Sequence, residues 1–268
     1  MILADAHVHL YRHYTLDLLL EAAARNLSAQ ERSMDGGRVP CQHALLLAEP
    51  SARNPLHQLM SGEKVAGLSS WNCRPTAEPI SAWAQSAFGE KILLVHGRQL
   101  NVMENLEVLA IASAGAPREG RPLLDSIEEI REQGGIPVVP WGVGKWWGGR
   151  GRVVRDVIEH FQGREVFLGD NGNRPVFWRR PRLFAAAAAR GIEVLPGSDP
   201  LPFADGYRRA GAVGFALDGR LGMDTPGADL KRLLGDQGSV IRCFGELQRS
   251  RRFLRDQLPT QGRKLRRR

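Results

Sequence analysis

Short apolar runs, each stopping at polar or glycine-rich residues, alternate along this 268-residue chain with segments of helical period, and that alternation points to a parallel α/β fold. The strand expectations are residues 2–7, 44–48, 92–96, 106–112, 136–140, 165–169, 192–196 and 212–217. Between them Leu16, Leu19, Leu20, Ala23 and Leu27 recur at helical spacing, as do Leu124, Ile127 and Ile130 before Gly134-Gly135. Further helices are expected near 153–162, 181–190, 228–235 and 240–256. The run Ala185 to Ala189 is a strong helix former ahead of the stop at Gly191. The stretch 50–90 fits least well and reads as an insertion or irregular crossover. The expected architecture is a single distorted (β/α) TIM-like barrel of about seven or eight strands over residues 1–248, with a basic C-terminal extension at 249–268.

In such a fold the strand ends converge on one rim. The first strand ends in Asp5-Ala6-His7-Val8-His9. Side chains two apart on a strand point to one side, and two neutral imidazoles on one side can grip a divalent ion. The plainer alternative is a pair of polar residues at a solvated strand end. The other ends offer Glu49, His96 to Gln99, Trp141, Asp170-Asn171, Ser198-Asp199 and Asp218. The candidate metal ligands are therefore His7, His9, Asp199, Glu49 and His96, with Asp199 and Asp170 as candidate catalytic carboxylates and Glu107 in reserve. His13 lies close enough in sequence to approach a substrate, whereas His43, His57 and His160 read as structural or surface residues.

The segment Trp141 to Arg155, WGVGKWWGGRGRVVR, follows a strand and is rich in glycine, arginine and tryptophan. Its glycines let backbone N–H groups approach an anion, Lys145, Arg150 and Arg152 add charge, and Trp146 or Trp147 can stack on a base or sugar. It is not a P-loop, because Trp146 follows Lys145 where serine or threonine is required. A plain surface loop with packed tryptophans accounts for it equally well.

The formal net charge of +8 is concentrated at one end, since residues 249–268 carry nine of the 37 basic residues and one of the 29 acids, leaving 1–248 balanced. Such a tail can make weak, non-specific contacts with nucleic acid or another polyanion, or it can be a solvated terminus. The three cysteines are isolated, which fits reduced thiols in a cytoplasmic protein. No apolar run is long enough to span a bilayer, and Asp5 stands where a signal peptide carries positive charge, so no membrane association is expected.

The strand ends together resemble the polymerase and histidinol phosphatase (PHP) family of metal-dependent phosphoesterases, with the wider amidohydrolase superfamily close behind. His7-Val8-His9 matches the opening His-x-His. IREQGGIPVVP at 130–140 resembles the helix, double glycine and strand that precede a metal histidine, Gly169-Asp170-Asn171 the strand end bearing an acid and Asn, and GIEVLPGSD at 191–199 the late strand ending in Gly-Ser-Asp. The resemblance spans roughly residues 1 to 220 and implies the fold more than any substrate. The chain departs from the family at several ligand positions. Pro200-Leu201 follow Asp199 where x-His is usual, Trp141 stands where a histidine is expected, Gln99 replaces an acid, and Glu49-Pro50 replaces an Asp-His pair.

The expectation is a metal-dependent hydrolase, most simply a phosphoesterase, using one or two divalent ions (Zn, Mn or Fe) on a small-molecule or phosphorylated substrate. In it His7 and His9 ligate, Asp199 ligates or takes the proton of the attacking water, and Asp170 or Glu49 completes the shell. Its competitor is a degenerate fold that binds a ligand or partner protein without turnover, favoured by Trp141, Leu201 and Gln99.

Overall fold

The computed structural model describes residues 1–35, 40–50, 58 and 67–248. The basic run 249–268 lies outside them, as do 36–39 and most of 51–66. The chain runs β1 (Ile2–Val8), α1 (Leu16–Asp35), β2 (Gln42–Leu47), β3 (Glu49–Pro50), β4 (Trp71–Pro75), β5 (Ser81–Ser86), β6 (Lys91–Val95), β7 (Gly97–Asn101) and β8 (Glu107–Ile111). It continues through α2 (Leu123–Glu132), β9 (Ile136–Pro140), α3 (Gly148–His160), β10 (Phe167–Gly169), α4 (Arg182–Ala189), β11 (Val213–Leu217), α5 (Pro226–Gly235) and β12 (Ile241–Gly245).

The expected TIM-like barrel is not formed: the strands make two open sheets, a 7-stranded one ordered β12-β11-β1-β2-β6-β5-β4 and a 5-stranded one ordered β10-β9-β8-β7-β3. The reason lies on the edge of β1 away from β2. Its first half, Ile2 to Ala4, is taken by β11 running antiparallel. Its second half meets residues 196–199 through only two backbone bonds, Ala6 N to Pro196 O at 3.3 Å and Asp199 N to His7 O at 2.9 Å. The expected strand at 192–196 is correspondingly reduced to isolated bridges, Leu168 with Val194 and Asn171 with Gly197. Of the helix expected near 240–256, Ile241–Gly245 instead pair as β12 with β11 in the register Phe215 to Cys243, and 249–256 lie outside the described residues. Within the awkward 50–90 stretch, the described residues include the antiparallel hairpin of β4 and β5.

The sheets face each other over one shared core. Ile2, Ala4 and Ala6 of β1 point into it, together with Leu46, Val95, Leu109, Ile111, Val138, Phe167 and Phe215. Helix α1 covers the outer face of the first sheet by packing Leu16, Leu19, Leu20, Ala23 and Leu27 against Leu3, Leu45 and Leu94. Helices α2, α3 and α4 cover the second sheet through Ile127, Ile130, Val154, Val157, Ile158, Phe184 and Ala187. The apolar positions that recur at helical spacing in the sequence are thus those that meet the sheets. Among the described residues no helix is long and apolar enough to cross a membrane.

The start of α1 is pinned by a carboxylate. Asp17 in its first turn accepts from Ser69 N at 2.8 Å, Ser69 Oγ at 2.7 Å and Ser70 N at 2.8 Å. Burial pushes its acidity constant up, but these bonds to the ionised form outweigh it and hold it below the ordinary 3.8. A depressed carboxylate stabilises the fold above the ordinary value, and its contribution is lost as pH falls through the folded-state value. Asp17→Ala is expected to cost about 2 kcal/mol in urea unfolding at neutral pH, with the deficit shrinking in acid. A deficit independent of pH would contradict this role.

Candidate metal centre

The site begins with a fault in β1. With strict alternation, Ile2, Ala4 and Ala6 facing the shared core would put His7 on the other side, towards α1. The pairing of β1 with β2 shifts register between Asp5 and Val8. Past that bulge Val8 packs with the α1 layer and His7 and His9 take the opposite, inward side. Bulges commonly re-aim side chains in this way.

Asp5, which belongs to the part of the strand before the phase change, is fully buried. Its carboxylate accepts from Ser198 N at 2.8 Å, Gly211 N at 2.8 Å and His7 N at 3.2 Å. It therefore fastens β1 to the Gly-Ser-Asp turn, bringing Asp199 across to the histidines. Gly197 is required at this crossing, because a Cβ there would lie 2.4 Å from His7 N. Asp199 itself has φ +45°, in the left-handed region that few residues other than glycine and Asn/Asp accept. Its backbone and side chain are held by Asn173 Nδ2 to Asp199 O at 2.7 Å and Asn171 Nδ2 to Asp199 Oδ2 at 3.0 Å. Asn171 Nδ2 also donates to Trp141 O at 2.9 Å.

His7 Nε2 and His9 Nε2 lie 2.9 Å apart, and Asp199 Oδ1 is 3.9 Å from the first and 3.6 Å from the second. Both imidazoles are buried. Ligand atoms on a tetrahedral ion with arms of about 2.1 Å stand about 3.4 Å apart, so this donor set fits a divalent cation in chemistry and in size. Burial, then the neighbouring His7, lowers His9 to about 4 against the pull of Asp199 and Glu107, so its ring is neutral near pH 7, as a ligand must be.

The other candidates divide. Glu49 is buried beside the site and accepts from Leu10 N at 2.6 Å. Burial raises it to about 8 despite that bond, and it is not among the three donors that converge. His96 has Nδ1 2.9 Å from Ser113 O and is likewise not among those three donors. Asp170, read as catalytic, is held by Arg174 at 2.9 and 2.7 Å and serves as the acceptor of a buried ion pair. Lys145 forms a half-buried ion pair with Glu107, whose charge reaches His9. Trp146 is buried edge-on against Phe184, whereas Trp147 is exposed. Arg150 Nη2 donates to Gly144 O at 2.8 Å and braces this loop, while Arg152 is exposed on α3. Trp141 is buried at the strand end where a histidine was expected.

Tyr11, absent from the sequence reading, belongs to the site. Its ring lies 5.4 Å from that of His9. Burial first, then the charges of Asp199, Glu49 and Glu107, pushes its hydroxyl far up, so it stays protonated and can donate. Tyr14 OH donates to His9 O at 2.8 Å and fixes the turn. Two tyrosines following a His-x-His pair were the available signal.

No family model matches the chain, and no curated protein does. Among solved structures it is similar to PsfC from Pseudomonas syringae PB-5123, with 15% identity over 97% of both chains and a TM-score of 0.57. The novel lesion-specific endonuclease PfuEndoQ from Pyrococcus furiosus matches with 13% identity over 89% of this chain and 57% of that one, with a TM-score of 0.47. The PsfC likeness is one of fold.

Proposed function

We propose that the protein is a metal-dependent hydrolase with a single divalent cation held by His7, His9 and Asp199, and that its substrate is a phosphoester. The observation that carries this reading is the convergence of two buried imidazoles and one carboxylate, whose ligand atoms all lie within 4.8 Å of one another. When bound, such a cation supplies Lewis acidity and a more acidic water. The bond from Asn171 to Asp199 Oδ2 orients Oδ1 towards the histidines, for ligation or for holding a proton. The protonated Tyr11 hydroxyl is a donor for a substrate oxygen, and Lys145, Arg150 and Arg152 supply charge that suits a phosphate. The tail adds non-specific attraction for anions. The competing reading, a binder without turnover, is favoured by Trp141 filling a ligand position and by Lys145 engaging Glu107.

Elemental analysis of protein purified without chelator tests the proposal. About one transition-metal ion per chain is expected, with phosphoester hydrolysis that disappears on chelation and returns with the metal. No bound ion, and none regained from zinc, manganese or iron, overturns the metal reading. A bound ion without turnover on any phosphoester favours the binder.

A further inference from the structure

Next to the metal centre lies a cluster of aromatic rings. Trp178 sits at its middle, with ring centroids 6.0 Å from Trp141, 5.4 Å from Trp147 and 6.5 Å from Phe177. The Phe177 and Trp178 planes are within 13° of parallel. Trp147 is 59% exposed, Phe177 60% and Val176 55%, which is a large apolar outlay for a surface. The cluster is built on a rigid base. Arg174, buried and paired to Asp170, donates through Nη1 to Trp178 O at 3.1 Å. The ion pair that holds Asp170 is thus tied through Arg174 to the backbone of the central ring.

Two further features qualify this surface. It adjoins the metal centre through Asn171, whose amide bonds both Trp141 O and Asp199 Oδ2. It is also flanked by cations: Arg152, Arg179 and Arg180 are exposed. Gln248, the residue to which the basic run is joined, is stitched to the cluster's own loop by Gln248 N to Arg174 O and Val176 N to Gln248 O, both 3.0 Å. A second copy of the chain suits the surface poorly, because a self-contact sets the same arginines against each other. Flat aromatic faces with surrounding arginines are what a single-stranded nucleic acid requires, bases stacking on the rings and phosphates meeting the guanidinium groups.

We infer that the Trp147–Trp178–Phe177 surface binds single-stranded nucleic acid by base stacking and delivers its phosphate backbone to the His7–His9–Asp199 centre. As a statement of substrate class this rests on the hydrolase reading; as a statement of binding it does not, so the test is run on the full chain in EDTA. A labelled short oligothymidylate, a wholly abasic oligomer of equal length and thymidine monophosphate are titrated against wild type, Trp147→Ala and Trp147→Phe, followed by anisotropy for the oligomers and by tryptophan quenching for the nucleotide. Wild type is expected to prefer the oligothymidylate over the abasic strand at least about tenfold, Trp147→Ala to lose about tenfold, and Trp147→Phe to recover most of it. Tightest binding by the free nucleotide would keep the stacking surface and overturn the strand. Equal binding of thymidylate and abasic strands, unaffected by Trp147→Ala, would overturn stacking and leave charge alone. A self-association abolished by Trp147→Ala, without oligomer binding, would make the surface an interface between copies and overturn the inference. Failure in EDTA with metal still bound in the preceding experiment would sink this inference and leave the hydrolase reading standing.

Discussion

Asp5→Ala is expected to lower the unfolding free energy by about 4 kcal/mol, because it strands three buried N–H donors that the carboxylate now satisfies, those of His7, Ser198 and Gly211. The residue lies outside the metal group, yet its loss is expected to weaken metal binding as well, since its bond to Ser198 N reinforces the two backbone bonds that join the strand carrying the histidines to the turn carrying Asp199. Asp5→Asn separates the two effects: one acceptor oxygen survives, so part of the stability returns. Urea unfolding and metal titration on both variants check this. A loss below about 1 kcal/mol for Asp5→Ala would show that the crossing is held by the surrounding core instead.

Asp199→Ala is expected to do the opposite, removing function with little loss of fold. The carboxylate is partly exposed and takes a single hydrogen bond from Asn171, so the fold gains little from it beyond the modest preference of Asp over Ala at φ +45°. Metal affinity should fall by more than about 100-fold, beyond the 10- to 100-fold typical of losing an outer partner, which is the range expected for Asn171→Ala. Stability should change by no more than about 1 kcal/mol. Metal competition titrations with thermal unfolding provide the measurement. Unchanged affinity in Asp199→Ala would leave the histidine pair without its third donor and remove the case for a catalytic ion.

The two variants together locate the division of labour in the site. Asp5, Asn171, Asn173 and Tyr14 position, whereas His7, His9 and Asp199 present donor atoms.

Much of this was legible in the chain. The apolar runs of β1, β2, β6, β8, β9 and β11 stand out because buried strands need continuous hydrophobic sequence, and α1 and α2 because one face of each meets a sheet. His7 and His9 sharing one side follows from backbone alternation alone. What the sequence could not carry is long-range. The β4 strand, WNCRP, is mostly exposed along an edge, so no apolar pattern marks it, and β12 is a strand only because β11 offers it a partner. Closure into a barrel was expected from the order of elements, but an antiparallel neighbour on β1 competes for the edge that closure needs. Likewise, local pattern determines that the two imidazoles point together, while the bulge between Asp5 and Val8 determines that they point at Asp199, through contacts 193 and 206 residues apart in the chain. Periodicity is a property of neighbouring residues; the side on which a strand's phase finally settles is set by distant groups competing for its hydrogen bonds, and only the tertiary structure decides that competition.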